Sequence, residues 1–140
     1  MILFLDFDGV LHGWSHAAFH QVPRINALLR DFPDLDVVVT SSWRHSESLD
    51  ELAAHFDPAL RPRFVGITPT CRGAEAHTRY HEILDYLDTH ALGRDQWYAL
   101  DDCAAFFPPG CPRLLLCDAA RGYDAATDTI LRRWLKRAGV

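Results

Sequence analysis

Lysine is almost missing from this chain: of its 14 basic residues, Lys136 is the one lysine and the others are arginines. A cation needed by a site elsewhere must therefore be an arginine, unless Lys136 reaches it from the end of the chain. Cysteine is sparse and unpatterned. Cys71, Cys103, Cys111 and Cys117 form no Cys-x-x-Cys and match no common zinc spacing. They read as reduced thiols of a cytoplasmic protein rather than as a disulfide frame. Long apolar runs are absent too: no stretch approaches the roughly 20 apolar residues that span a bilayer. The N-terminus is apolar only as far as Leu5 and has no basic leader, so no signal peptide is expected. These absences set the expectation of a cytoplasmic protein with no membrane partner.

What is present suffices for one core. The chain has 140 residues, 49% of them hydrophobic, and a single domain over 1–140 is expected. The net charge of -5 does not mark an obligate nucleic-acid binder, and it leaves room for a local basic groove.

Periodicity alternates along the chain. Short apolar runs at Ile2–Phe7, Asp36–Thr40, Arg63–Ile67, Gln96–Leu100 and Arg113–Cys117 read as buried strands. Between and after them, Val22–Phe32, Glu47–Phe56, Thr78–His90 and Ala125–Ala138 carry apolar residues at helical spacing. Strands alternating with helices imply a three-layer α/β fold, with a doubly wound, parallel, five-stranded sheet. The segment Phe107-Pro-Pro-Gly-Cys-Pro112 is the strongest loop signal. Ligands of such sheets bind beyond the carboxyl ends of the strands. Four strand ends deliver polar residues there: Asp6 with Asp8, Thr40 with Ser41, Asp101 with Asp102, and Asp118.

The first of these ends is the most specific. In Asp6-Phe7-Asp8-Gly9 the two carboxylates, two residues apart, are expected on one side of the strand end. They repel unless a cation joins them, and Mg²⁺ prefers oxygen ligands. Asp6 is then placed to attack phosphorus while holding the metal. Asp8 is placed to protonate the leaving oxygen and later to activate water. Gly9 permits a sharp turn and lets backbone N–H groups approach an anion. A calcium loop is excluded, because Leu11 and Gly13 stand where oxygen ligands are required.

The Thr-Ser end of Val37-Val-Val-Thr-Ser-Ser-Trp-Arg44 offers a hydroxyl, that of Thr40, and successive N–H groups to a phosphate, with Ser42 or Ser46 suited to cap the next helix. Arg44 either reaches the substrate or pairs with a carboxylate. In Trp97-Tyr-Ala-Leu-Asp-Asp102, one acid can complete the metal shell and the other can hold an arginine. The cation for the phosphoryl oxygens is Arg79, at a helix start, or its competitor Arg72 in the loop before it.

This ordered set resembles the haloacid dehalogenase superfamily over nearly the whole chain. Leu5-Asp6-Phe7-Asp8-Gly9-Val10 looks like its first motif, Thr40 stands at the second, Arg79 at the third and Asp101-Asp102 at the fourth. The family's usual third-motif lysine is replaced by arginine. Within the superfamily, the Ser-Trp-Arg and Leu-Asp-Asp strings are most similar to the domain associated with Swiss Army Knife RNA-repair proteins.

The resemblance implies a Mg²⁺-dependent phosphoric monoester hydrolase. Its catalytic residues are Asp6, Asp8, Thr40 and Arg79, and substrate contacts come from Gly9, Ser41 and Arg44. Its metal is held by Asp6, Asp8, Asp101 and Asp102. Only about a dozen residues separate Gly9 from Val22, and the segment between Arg44 and Arg79 holds just one helix, one strand and a loop, so no cap domain is expected. An open site suits a phosphate on a large partner, such as a nucleic-acid end. The rival readings are a non-catalytic scaffold and a receiver-like phosphoacceptor; the second puts its aspartate on a different strand and needs a lysine. His12, His16 and His20 recur every four residues, and Trp14 lies among them. A metal site there is disfavoured by Gly13, and stacking of Trp14 on a base is the alternative to simple packing.

Overall fold

The computed structural model describes residues 1–13, 19–71 and 76–140. Five parallel strands, β1 (Ile2–Leu5), β2 (Asp36–Val39), β3 (Phe64–Ile67), β4 (Trp97–Asp101) and β5 (Leu114–Leu116), form one sheet in the order β3-β2-β1-β4-β5. The helices are α1 (Val22–Asp31), α2 (Leu49–Ala53), α3 (Thr78–Thr89) and α4 (Ala125–Arg137). This is the doubly wound α/β sheet expected from the alternating pattern.

Side-chain alternation along β1 and β2 builds two cores. Leu3, Leu5, Val37 and Val39 face α1, α2 and α4, meeting Ile25, Leu28, Leu29, Leu52, Leu131 and Leu135. Phe4 and Val38 face the other way, onto Ile83, Tyr86 and Leu87 of α3. Edge-to-face contacts of Phe4 with Tyr86 and Trp97, each with centroids 5.8 Å apart, fix this second core.

One connection departs from strict strand–helix alternation. Between β4 and β5 there is only a short 3-10 turn, Ala104–Phe106. The prolines at 108, 109 and 112 lack the N–H groups a helix would need there. Helix caps also differ in position from expectation. Ser41, not Ser42 or Ser46, caps the 3-10 turn Ser42–His45, and Ser48 caps α2 in a reciprocal capping box with Glu51.

The strand order reverses between β1 and β4, which makes the crevice above these two strands the switch point where such sheets bind ligands. Ladder-type hydrogen bonds continue just past the strands. The Asp6 N–H donates to the Leu100 carbonyl at 3.1 Å, and the Thr40 N–H to the Leu5 carbonyl at 3.0 Å. These bonds pin the chain that carries the polar strand ends to the rigid sheet.

Candidate active site

Asp6 immediately follows β1 and is buried, with its Oδ1 accepting a hydrogen bond from the Phe7 N–H at 2.8 Å. Asp101, the last residue of β4, is fully buried. Its Oδ2 accepts from Arg79 Nη1 at 2.6 Å, and its Oδ1 accepts from the Cys103 N–H at 2.9 Å. Arg79 stands in the first turn of α3, and the same Nη1 lies 3.5 Å from Asp6 Oδ1. Its guanidinium also sits 5.1 Å from the ring centroid of Phe106, an exposed aromatic at the edge of the site. One arginine thus bridges two buried aspartates from neighbouring strands. The competitor Arg72 lies outside the described residues.

Asp102 is half-buried and lies against Gly9. A Cβ at Gly9 would come within 2.2 Å of Asp102 Oδ2, and Gly9 has φ +74°. Both the left-handed backbone and the close approach require glycine here. One ligand atom from each of Asp6, Asp101 and Asp102 lies within 4.8 Å of the others. That is close to the roughly 4 Å span of an octahedral oxygen shell around Mg²⁺.

The charges support the same fit. Without a cation, burial first, and then the negative charge of Asp101, push the Asp6 carboxyl up to about 8, against the pull of Arg79 and the Phe7 N–H. Burial raises Asp101 as well, with Arg79 opposing. Among the described residues, the buried or half-buried carboxylates and guanidiniums gathered here are those of Asp6, Asp101, Asp102, Glu82, Arg79 and Arg44. Fully ionised, they sum to minus two, the charge that one divalent cation would balance. Hard oxygen donors, spacing and charge all suit Mg²⁺.

Asp8 diverges from Asp6. The sequence expectation put both carboxylates at one strand end and on the metal; β1 ends at Leu5, and only the Asp6 carboxylate joins those of Asp101 and Asp102. Asp8 is exposed, and its carboxylate is not part of the three-carboxylate cluster. It is held from two sides. The Trp43 indole N–H donates to both Asp8 oxygens at 3.1 Å each, and His12 Nε2 lies 3.0 Å from Oδ1.

Thr40 and Ser41 are buried beside β1, and the Ser41 hydroxyl accepts from the Trp43 N–H at 3.3 Å. Arg44 turns inward. Its Nη1 donates to the carbonyls of Thr40 at 2.6 Å and Ser41 at 3.2 Å, while Nη2 contacts Glu82 of α3. Both side chains of this ion pair are buried. Burial raises the Glu82 carboxyl and lowers the Arg44 guanidinium, each shift opposed by the partner's charge.

Other expected residues lie apart. Asp118 is exposed and closes its own turn by accepting from the Ala120 N–H at 2.8 Å. Trp14 and His16 fall outside the described residues. His20 Nε2 lies 3.2 Å from the Gln21 side-chain nitrogen, so His12 and His20 turn to different partners. The four cysteines carry no disulfide.

Trp43 and Glu82 were not singled out by sequence reasoning. Glu82 left a trace, since it lies three residues after Arg79 and therefore on the same helix face. Trp43 had only its place in the Ser-Trp-Arg string.

The model of one protein family matches residues 2–127 of the 140-residue chain; the family is described as the HAD domain in Swiss Army Knife RNA repair proteins. No curated protein and no solved structure matches.

Proposed function

Because the chain belongs to the family of HAD domains in Swiss Army Knife RNA repair proteins, we propose that it is a magnesium-dependent phosphatase working through an aspartyl-phosphate on Asp6. The observation that carries this reading is the buried Asp6 carboxylate at the sheet's switch point, 3.5 Å from a guanidinium and clustered with Asp101 and Asp102.

In this reading an Asp6 oxygen attacks phosphorus and the bond to the leaving oxygen breaks. Asp8 gives that oxygen a proton. Asp8 then takes a proton from water, the water attacks the phosphorus held on Asp6, and inorganic phosphate leaves with Asp6 restored. Arg79 offsets charge on the phosphoryl oxygens. The Thr40 hydroxyl and the N–H groups of Ser41 and Gly9 hold those oxygens in place. Arg44 acts behind them, through the carbonyls of Thr40 and Ser41. The carboxylates of Asp6, Asp101 and Asp102 and the backbone carbonyl of Asp8 would hold Mg²⁺. When bound, the ion supplies positive charge that neutralises the carboxylates and polarises the phosphoryl group.

The substrate in this reading is a phosphate carried on a large partner, a nucleic-acid end in particular. Two facts support it. Neither the chain between β1 and α1 nor that between β2 and α3 is long enough for a cap domain. The proton-transferring Asp8 is 56% exposed, so an incoming substrate must itself exclude water there.

The test is Mg²⁺-dependent phosphate release from an aryl phosphate and from 3′- and 5′-phosphorylated oligonucleotides, compared with Asp6→Asn. Abolished turnover in Asp6→Asn is expected. Turnover that survives the substitution removes Asp6 as nucleophile and the reading with it.

A further inference from the structure

An acid that must protonate a leaving group has to be held within hydrogen-bond reach of it. An exposed aspartate has two side-chain torsions that solvent leaves free, and ordering them costs free energy. Asp8 is such a residue, and what restrains it comes from the second strand end. The Trp43 indole N–H meets both carboxylate oxygens at 3.1 Å, so one donor sets the orientation of the whole carboxylate.

Trp43 is itself held on three sides. Its backbone N–H is bonded to the Ser41 hydroxyl, and its ring packs on Phe19 at 5.0 Å, on Phe7 at 6.3 Å and on His55 at 6.1 Å between centroids. The chain before it is clamped by Arg44 through the carbonyls of Thr40 and Ser41. The donor is therefore preorganised. His12 closes the other side of Asp8 at 3.0 Å.

We infer that Trp43 is a positioning residue for Asp8: its indole N–H holds the carboxylate toward the leaving oxygen and couples proton transfer to the segment that carries Thr40 and Ser41. The inference rests on the phosphatase reading.

Trp43→Phe keeps an aromatic ring in the cluster and deletes the donor. The informative quantity is kcat/KM, which reports only steps through departure of the leaving group. A 4-nitrophenolate leaves without help, whereas an alkoxide needs the proton. Trp43→Phe is expected to lower kcat/KM about tenfold or more for an alkyl phosphate ester, and less than about threefold for 4-nitrophenyl phosphate. In an Asp8→Ala background it is expected to cost nothing further on the alkyl ester. Phe19→Leu, which loosens the same aromatic cluster without touching the donor, is expected to lower both substrates alike.

A readout independent of turnover comes from the metal-free protein. The indole N–H resonance of Trp43, assigned by its absence in Trp43→Phe, is expected to move in Asp8→Ala. An unmoved resonance, equal losses on the two substrates, or a wild type that hydrolyses aryl but no alkyl phosphates each overturns the inference and leaves Asp6 chemistry standing. Absence of Asp6-dependent hydrolysis of any substrate overturns the phosphatase reading and takes this inference with it.

Discussion

The buried pair of Arg44 and Glu82 gives the sharpest test of how this site is braced. Glu82→Gln keeps the shape and leaves a guanidinium among neutral acceptors. Removing one partner of a buried ion pair costs about 3 to 5 kcal/mol. The lower end applies here, because the carbonyls of Thr40 and Ser41 still accept from Arg44. A loss of about 3 kcal/mol in a chain of this size lowers the melting temperature by roughly 10 °C.

Urea unfolding at pH 8 measures this directly, with a lower midpoint and an unchanged slope. A separate cycle uses Arg44→Met, Glu82→Leu and the double variant Arg44→Met/Glu82→Leu. Burial shifts both groups toward their neutral forms, so desolvation opposes the pair's attraction and replacing both is expected to cost less than the two single changes together. A coupling of about 2 kcal/mol is expected. A loss below about 1 kcal/mol in Glu82→Gln, the scale of a surface pair, would refute the bracing argument.

Two further predictions concern the carboxylates. In metal-free protein Asp6 holds its proton up to about pH 8, whereas the unfolded chain releases it near its ordinary 3.8. The raised folded value means that this contribution to stability is present at low pH and is lost as pH rises through that window, at up to about 1.4 kcal/mol per pH unit. The stability difference between wild type and Asp6→Asn, measured by urea unfolding at pH 5 and pH 7 in chelator, is expected to shift by about 2 to 3 kcal/mol against the wild type. Saturating Mg²⁺ should shrink that shift, and a Mg²⁺-insensitive shift refutes the metal assignment. Gly9→Ala places a methyl within 2.2 Å of Asp102 Oδ2 on a backbone with φ +74°. It is expected to lose about 1 to 2 kcal/mol from the left-handed backbone alone and to weaken Mg²⁺ binding, read by calorimetry, at least tenfold.

The sheet was readable in the sequence because each strand is a short apolar run, and each helix has a clear apolar face. Element ends differ by a residue or two at most positions. The exception in connectivity, the prolyl loop between β4 and β5, was marked by its prolines. The site divides differently. Asp6, Thr40, Arg79 and Asp101 sit at strand ends or a helix start, where chain order and strand order together fix their neighbourhood. Asp8 and Trp43 lie beyond those ends, on turns whose path depends on contacts between distant segments. Strand periodicity says little about Asp8, because β1 stops before it, and its carboxylate lies outside the cluster of Asp6, Asp101 and Asp102. The union of Trp43 with Asp8, 35 residues away in sequence, depends on how the 3-10 turn Ser42–His45 sits above the sheet. No local pattern encodes that.

Helix α3 explains how an open site keeps its geometry. Arg79 and Glu82 lie on one face of it, three residues apart. The first holds Asp101 and approaches Asp6, while the second holds Arg44, which clamps the carbonyls of Thr40 and Ser41. Two buried residues on one face of this helix thus tie the ends of β1, β2 and β4 together. The α3 helix is fixed in turn by Ile83, Tyr86 and Leu87 packed on Phe4 and Val38 of the sheet. Tyr86 sits so close that a Cβ at Gly66 of β3 would meet its hydroxyl at 2.3 Å. A change in the α3 packing face should therefore disturb Thr40 and Ser41 together with the carboxylates of Asp6 and Asp101. A change at Trp43 should instead disturb the exposed Asp8 and spare the buried carboxylates of Asp6 and Asp101. This separation allows Asp8 to remain exposed without loosening Asp6.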